Sequence, residues 1–163
     1  MQILKYPNPA LFVTCTEVTV FGEELKILLD AMWETMVAGK GMGLAANQVG
    51  LVFRMFTMLG PDGEKIYLVN PKILTRSVVP ANLQEGCLSA PGELLTLDER
   101  ASWVKVKYQD ETGKEHDRVF KGIHSVCVQH ETDHLEGKSH LQSKSIKAVK
   151  RKALAKKWGF KVK

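Results

Sequence analysis

Two histidines four residues apart, His130 and His134, with Glu131 beside the first, are the residues best spaced for chemistry. On a helix such positions lie one turn above each other, so both imidazoles can face one cation. Glu131 is offset from them yet within reach of a water on that cation, as a general base must be. The neighbours Val126, Cys127 and Val128 make this a buried helix, where His and Glu are costly unless a metal or partner accounts for them. A hydrolytic zinc-type site needs three protein ligands and one position left for water. Two residues compete for the third place. His140 completes His130-Glu131-x-x-His134-x-x-Gly137-x-x-His140, the signature of metzincin proteases, whereas Cys87 lies mid-chain in Glu85-Gly86-Cys87-Leu88-Ser89. Metzincins carry a Met-turn beyond the third histidine, and here Met1, Met32, Met36, Met42, Met55 and Met58 all precede it. His140 therefore reads as a surface residue at the start of the tail. Cys87 reads as the ligand rather than as a thiol nucleophile.

These residues need elements to hold them. Leu25, Leu28, Leu29, Met32, Trp33 and Met36 recur at helical spacing, which predicts a helix over 23–38 that stops at Gly39 and Gly41. The apolar run 51–58 predicts a buried strand, and 66–69 another beyond the turn at Pro61-Asp62-Gly63. Val104, Val106 and Tyr108 alternate with polar residues, so 104–108 and 114–120 pair as a hairpin across 110–113. Beyond Gly122 the period becomes helical, with Ile123, Val126, Cys127, His130 and His134 on one face and Gly137 as the stop. A last helix over about 144–158 carries Ile146, Val149, Ala153 and Trp158 on one side. Trp33 and Trp103 read as core, Cys15 as a small apolar residue. A strand-rich middle with three helices and no strand–helix alternation predicts an α+β chain.

At 163 residues the chain is one ordinary domain with a soluble composition, and no run approaches the ~18 apolar residues of a membrane span. The N-terminus has no signal or transit pattern, so a cytoplasmic location is expected. Three cysteines, an odd and sparse set, point to thiol or metal chemistry in a reducing compartment. Charge is unevenly placed: ten of the twenty-three Lys/Arg lie in 138–163, where there is no Asp or Glu. The body, 1–137, is therefore acidic and the extension, 138–163, strongly basic.

Gly41-Met42-Gly43-Leu44-Ala45-Ala46-Asn47-Gln48, Glu85-Gly86-Cys87-Leu88-Ser89 and Gln129-His130-Glu131-Thr132-Asp133-His134 stand in one order. Together they resemble the three motifs of the peptide deformylase family, GxGLAAxQ, EGCLS and QHExDH, and the similarity spans about 1–137. The resemblance implies mixed or antiparallel β-sheets wrapped around a central HExxH helix, with the basic C-terminal helix as an extension rather than a separate domain. It implies a metallo-amidase that removes the N-formyl group from the N-terminal formyl-methionine of nascent polypeptides and releases formate. By it, Cys87, His130 and His134 bind the metal, commonly Fe2+, with Zn2+, Ni2+ or Co2+ able to occupy the site. Metal-bound water attacks the formyl carbon with Glu131 as general acid/base, while Gln48 and the Leu88 N–H bind the oxyanion. The formyl-methionine side chain would be received by Met42, Leu83, Ile123, Val126 and Cys127, with His130 alongside, although Val126 and Cys127 read equally well as plain core. Gly41, Gly43 and Gly86 would let a peptide backbone approach. Asp133 reads as an orienter of a histidine or as a helix-surface carboxylate, and Arg100 as a partner of Glu85.

The chain departs from the family in two places. Bacterial members often carry an Arg a few residues after EGCLS, and Ser89-Ala90-Pro91-Gly92-Glu93-Leu94-Leu95 has none. After the metal helix, Lys138-Ser139-His140-Leu141-Gln142 replaces the usual Leu-Phe-like pair. The basic extension resembles, in placement and charge, the segment by which some deformylases dock on the ribosome, and ten positive charges suit rRNA. On that reading a truncation at 138 spares activity on a short formyl-peptide. The partners implied are formylmethionyl peptides and ribosomal RNA, with no membrane, for a monomer in a bacterial or phage-infected cell. Two rival readings are a zinc peptidase and a non-enzymatic ribosome-binding module.

Overall fold

The computed structural model describes residues 1–161. Helix α1 (Glu23–Ala38) precedes strands β1 (Gly43–Ala45), β2 (Met55–Leu59) and β3 (Lys65–Arg76). Strands β4 (Gln84–Cys87), β5 (Ala90–Thr96), β6 (Trp103–Gln109) and β7 (Glu115–Lys121) follow, then helices α2 (Gly122–Leu135) and α3 (Ala148–Trp158). The strands form a five-stranded sheet in the order β1-β2-β3-β6-β7 and a separate β4-β5 hairpin, all pairs antiparallel. This is an α+β chain with antiparallel sheets and three α-helices among the described residues, none of them long and apolar enough to cross a membrane.

Helix α1 spans the residues its periodicity predicts. Leu25, Leu29, Met32 and Met36 are buried, and Glu23 and Glu24 sit in the first turn, where the helix dipole favours acids. In β6 the even positions Val104, Val106 and Tyr108 face the core. Trp103 shares the other face with Lys105 and Lys107 and stays 38% exposed, so it is not a core residue. The run 51–58 is strand only from Met55 onward. Residues before it bond instead to the segment around Thr16, through Thr16 N to Val52 O at 2.8 Å and Arg54 N to Thr16 O at 2.7 Å. Cys15 is buried as expected, and Trp33 is half-buried against the cluster that covers α1.

The basic extension differs from its sequence reading. Helix α3 begins at Ala148 and turns Leu154, Ala155 and Trp158 inward, while Ala153 is exposed and Val149 is 83% exposed. Leu141, Ile146, Leu154, Ala155 and Phe160 are buried in one cluster with Tyr6, Leu11, Cys87 and Leu97. Each such side chain contributes ~1.5–3 kcal/mol, a sum comparable to the ~5–15 kcal/mol stability of a whole domain. A truncation at 138 would therefore remove these side chains from the cluster that contains Cys87. Val162 and Lys163 lie outside the described residues.

Candidate metal centre

Helix α2 presents His130 and His134 on one face, and the β4-β5 hairpin carries Cys87 to them. The three ligand atoms lie within 4.8 Å of one another and all three residues are buried. Cys87 Sγ is 3.2 Å from His134 Nε2, and the two imidazole centroids are 4.9 Å apart. His130 Nδ1 is 2.5 Å from Glu85 Oε2, which fixes the ring and leaves Nε2 for a cation. Glu85 is gripped by Arg100, Nε to Oε1 at 2.7 Å and Nη2 to Oε2 at 2.9 Å. The remaining Arg100 arm donates to Asp133 Oδ2 at 2.6 Å, so Asp133 touches the arginine and not a histidine.

Electrostatics fit a divalent cation. Burial holds His130 and His134 well below the usual imidazole range, so both are neutral donors. Burial, then the Glu131 charge, pushes the Cys87 thiol up to about 12. A cation held by Cys87, His130 and His134 would reverse that shift and displace the thiol proton. One sulfur and two imidazole nitrogens are the donor types of zinc and ferrous sites. Glu131 is 4% exposed with Oε2 unpartnered, and burial plus the Glu85 charge push its carboxyl up to about 8.

The surroundings are tight. A Cβ on Gly43 would meet Glu131 Oε1 at 2.6 Å and Cys127 Sγ at 2.7 Å, so only glycine lets that backbone pass. Gln48 Oε1 accepts the Ala45 N–H at 2.9 Å, and Gln48 Nε2 points to Ser89 Oγ at 3.1 Å and Cys87 Sγ at 3.5 Å. Its amide is thereby held beside the ligand sulfur, which is more than loop capping requires. A cleft of about 490 Å³ opens over Cys87, His130 and Glu131 and includes Gln48, Gly86 and Leu88. Met42, Gly43, Ile123, Val126 and Cys127 line its side. Leu83, at the edge of exposure with 36%, is not among the cleft residues. Lys5 and Lys40 do line it, and no motif marked them.

His140 is not a surface residue. It is 2% exposed, its ring lies 5.1 Å from that of His130, and neither ring nitrogen has a partner. The cause is Gly137, at φ 65°, where a Cβ would meet Phe12 O at 2.5 Å. The chain reverses there and returns His140 beneath the metal helix, a turn that the glycine-histidine spacing alone does not reveal. His140 still lies outside the 4.8 Å ligand group.

The family model described as polypeptide deformylase matches residues 1–151. The chain is 41% identical to the peptide deformylase of Phenylobacterium zucineum, over 94% of this chain and 97% of the relative. Among solved structures, the peptide deformylase of Ehrlichia chaffeensis superposes with a TM-score of 0.89 at 33% identity, covering 98% of this chain and 94% of that one. The Synechococcus elongatus peptide deformylase, solved in complex with actinonin, gives 0.89 at 31% identity over 99% and 87%. Family match, identity over nearly the whole length and a shared backbone agree with the Cys-His-His trio, and the chain belongs to the peptide deformylase family of enzymes.

Proposed function

We propose that the protein hydrolyses the N-formyl group of N-terminal formyl-methionine on nascent polypeptides and releases formate, with Cys87, His130 and His134 holding the metal. The observation that carries this is the trio within 4.8 Å beside a buried Glu131 carboxyl with an unpartnered oxygen. The donor set suits Fe2+ in the cell, with Zn2+, Ni2+ or Co2+ as substitutes. Such an ion supplies Lewis acidity and brings water toward ionisation at neutral pH. Glu131 accepts the proton of the attacking water and delivers it to the departing amine nitrogen, which breaks the C–N bond. Gln48 Nε2 and the Leu88 N–H donate to the formyl oxygen as it becomes an oxyanion, typically ~3 kcal/mol per donor. Met42, Ile123, Val126 and Cys127 receive the methionine side chain, and a thioether suits that apolar wall. Gly43 and Gly86 flank the peptide backbone.

On this reading α2 is the central element about which the sheets are wrapped, 1–137 is the catalytic body and 138–163 a basic extension integral to it. The enzyme works as a cytoplasmic monomer, and the exposed lysines of α3 contact ribosomal RNA. Changing Lys147, Lys150, Lys152 and Lys156 to Gln leaves the buried face of α3 intact and should weaken ribosome co-sedimentation; undiminished sedimentation dismisses the contact.

Formate release from formyl-Met-Ala-Ser by protein loaded anaerobically with iron or nickel tests the main reading. Glu131→Ala at equal metal content should lose at least about a hundredfold, and a smaller loss removes Glu131 as acid/base. Internal peptide cleavage without formate would favour the peptidase. Absence of any turnover would favour a binding module.

A further inference from the structure

Residues 39–43 form one lip of the cleft that contains Glu131. Gly43 lies against Glu131, and Gly41 faces Leu88, whose Cδ1 a Cβ would meet at 2.6 Å. Between Gly39 and Gly41 stands Lys40 at φ 55°, the left-handed region where glycine is the usual residue. Lys40 is exposed, lines the cleft and has no ion-pair partner among the described residues. A second cation shares the rim: Lys5 Nζ donates to Leu88 O at 2.5 Å, which keeps its charge at the mouth. The carboxylates of the cleft, Glu85 and Glu131, lie inside and buried, and Glu85 is committed to Arg100 and His130. Neither neutralises the rim. Residues 89–95, most of them in β5, contribute no cation of their own.

Lys40 and Gly43 are three residue steps apart, a span of at most about 10 Å. An extended peptide covers the same distance from its formyl group to its third residue. With the formyl group at Glu131 and the peptide laid along the lip, the second and third side chains come level with Lys40.

We propose that Lys40, assisted by Lys5, is a specificity determinant that favours substrates with an acidic side chain at the second or third residue. The proposal rests on the deformylase reading given above. Formate release is measured for four C-terminally amidated peptides: formyl-Met-Ala-Ser, formyl-Met-Glu-Ser, formyl-Met-Ala-Glu and formyl-Met-Ala-Lys. The readout is the ratio of kcat/KM between acidic and basic peptides, at low and at 0.5 M (roughly) added salt. A ratio of about fivefold is expected, carried by KM and shrinking with salt, as for an exposed ion pair. Lys40→Ala should collapse the ratio, Lys40→Arg restore it and Lys40→Glu invert it. A ratio that survives Lys40→Ala overturns the proposal. Equal rates on all four peptides overturn it too and leave the deformylase reading standing, whereas no formate from any peptide overturns both.

Discussion

Removing the arginine behind the metal centre should cost far more than a surface ion pair would. Arg100 and Glu85 have side chains only 4% exposed and are joined by two bonds of 2.7 and 2.9 Å. Arg100→Met keeps a flexible chain of similar reach and leaves Glu85 with a single partner, His130 Nδ1. Stranding a buried charge in this way costs about 3–5 kcal/mol. The Asp133 arm adds little, because that carboxylate is 33% exposed. At about 2–4 °C per kcal/mol for a chain of this size, the melting temperature should fall by roughly 6–20 °C. Calorimetry on chelator-treated protein measures this apart from the metal. A second effect follows on the loaded protein: Glu85, no longer anchored by Arg100, holds the His130 ring less firmly, and weakening such support typically lowers metal affinity ~10–100-fold, read by competition with a chromophoric chelator. Glu85→Gln in the same chain removes the stranded charge, so the double variant should be the more stable of the two by ~1–3 kcal/mol. A fall of less than about 3 °C for Arg100→Met, or a double variant no better than the single, refutes the reasoning.

His140→Phe should stabilise the fold, since both ring nitrogens are buried without partners and each such group costs ~1–3 kcal/mol; a lower denaturant midpoint would count against it. Gly43→Ala drives a methyl to within 2.6 Å of Glu131 Oε1, so kcat/KM should drop about a hundredfold while metal content holds. Burial raises the Asp110 carboxyl, but donors from the Thr112 and His116 side chains and the Thr112 and Lys114 backbones outweigh it and hold the group at about 2, below its ordinary 3.8. Because the folded value is depressed, this stabilisation is complete above pH ~4 and is lost as pH falls toward 2. Wild type and Asp110→Asn should accordingly differ in unfolding free energy at pH 6 and converge near pH 2 (both roughly); a gap that stays constant with pH contradicts this origin.

The sequence by itself determined the elements whose signals are local. Helix α1, the β6-β7 hairpin and the placing of His130 and His134 on one helical face, with Glu131 offset beside them, follow from periodicity and turn residues within a few positions of each other. The three motifs also named the family, because their order and spacing are properties of the chain alone. The choice between Cys87 and His140 was of another kind. Local spacing admits both as the third ligand, and Cys87 is preferred because no methionine follows His140 and because the order of the three motifs resembles the family's. Proximity of Cys87 depends on where the β4-β5 hairpin packs, and the turn at Gly137 depends on a backbone oxygen of Phe12, far away in sequence. The burial of the basic extension has the same origin. Leu154 and Ala155 face inward because Tyr6, Leu11 and Leu97 wait there, and no periodicity within 138–163 records what lies opposite. Contacts between distant segments are set by the packing of the whole chain, and that information exists only once the chain has folded.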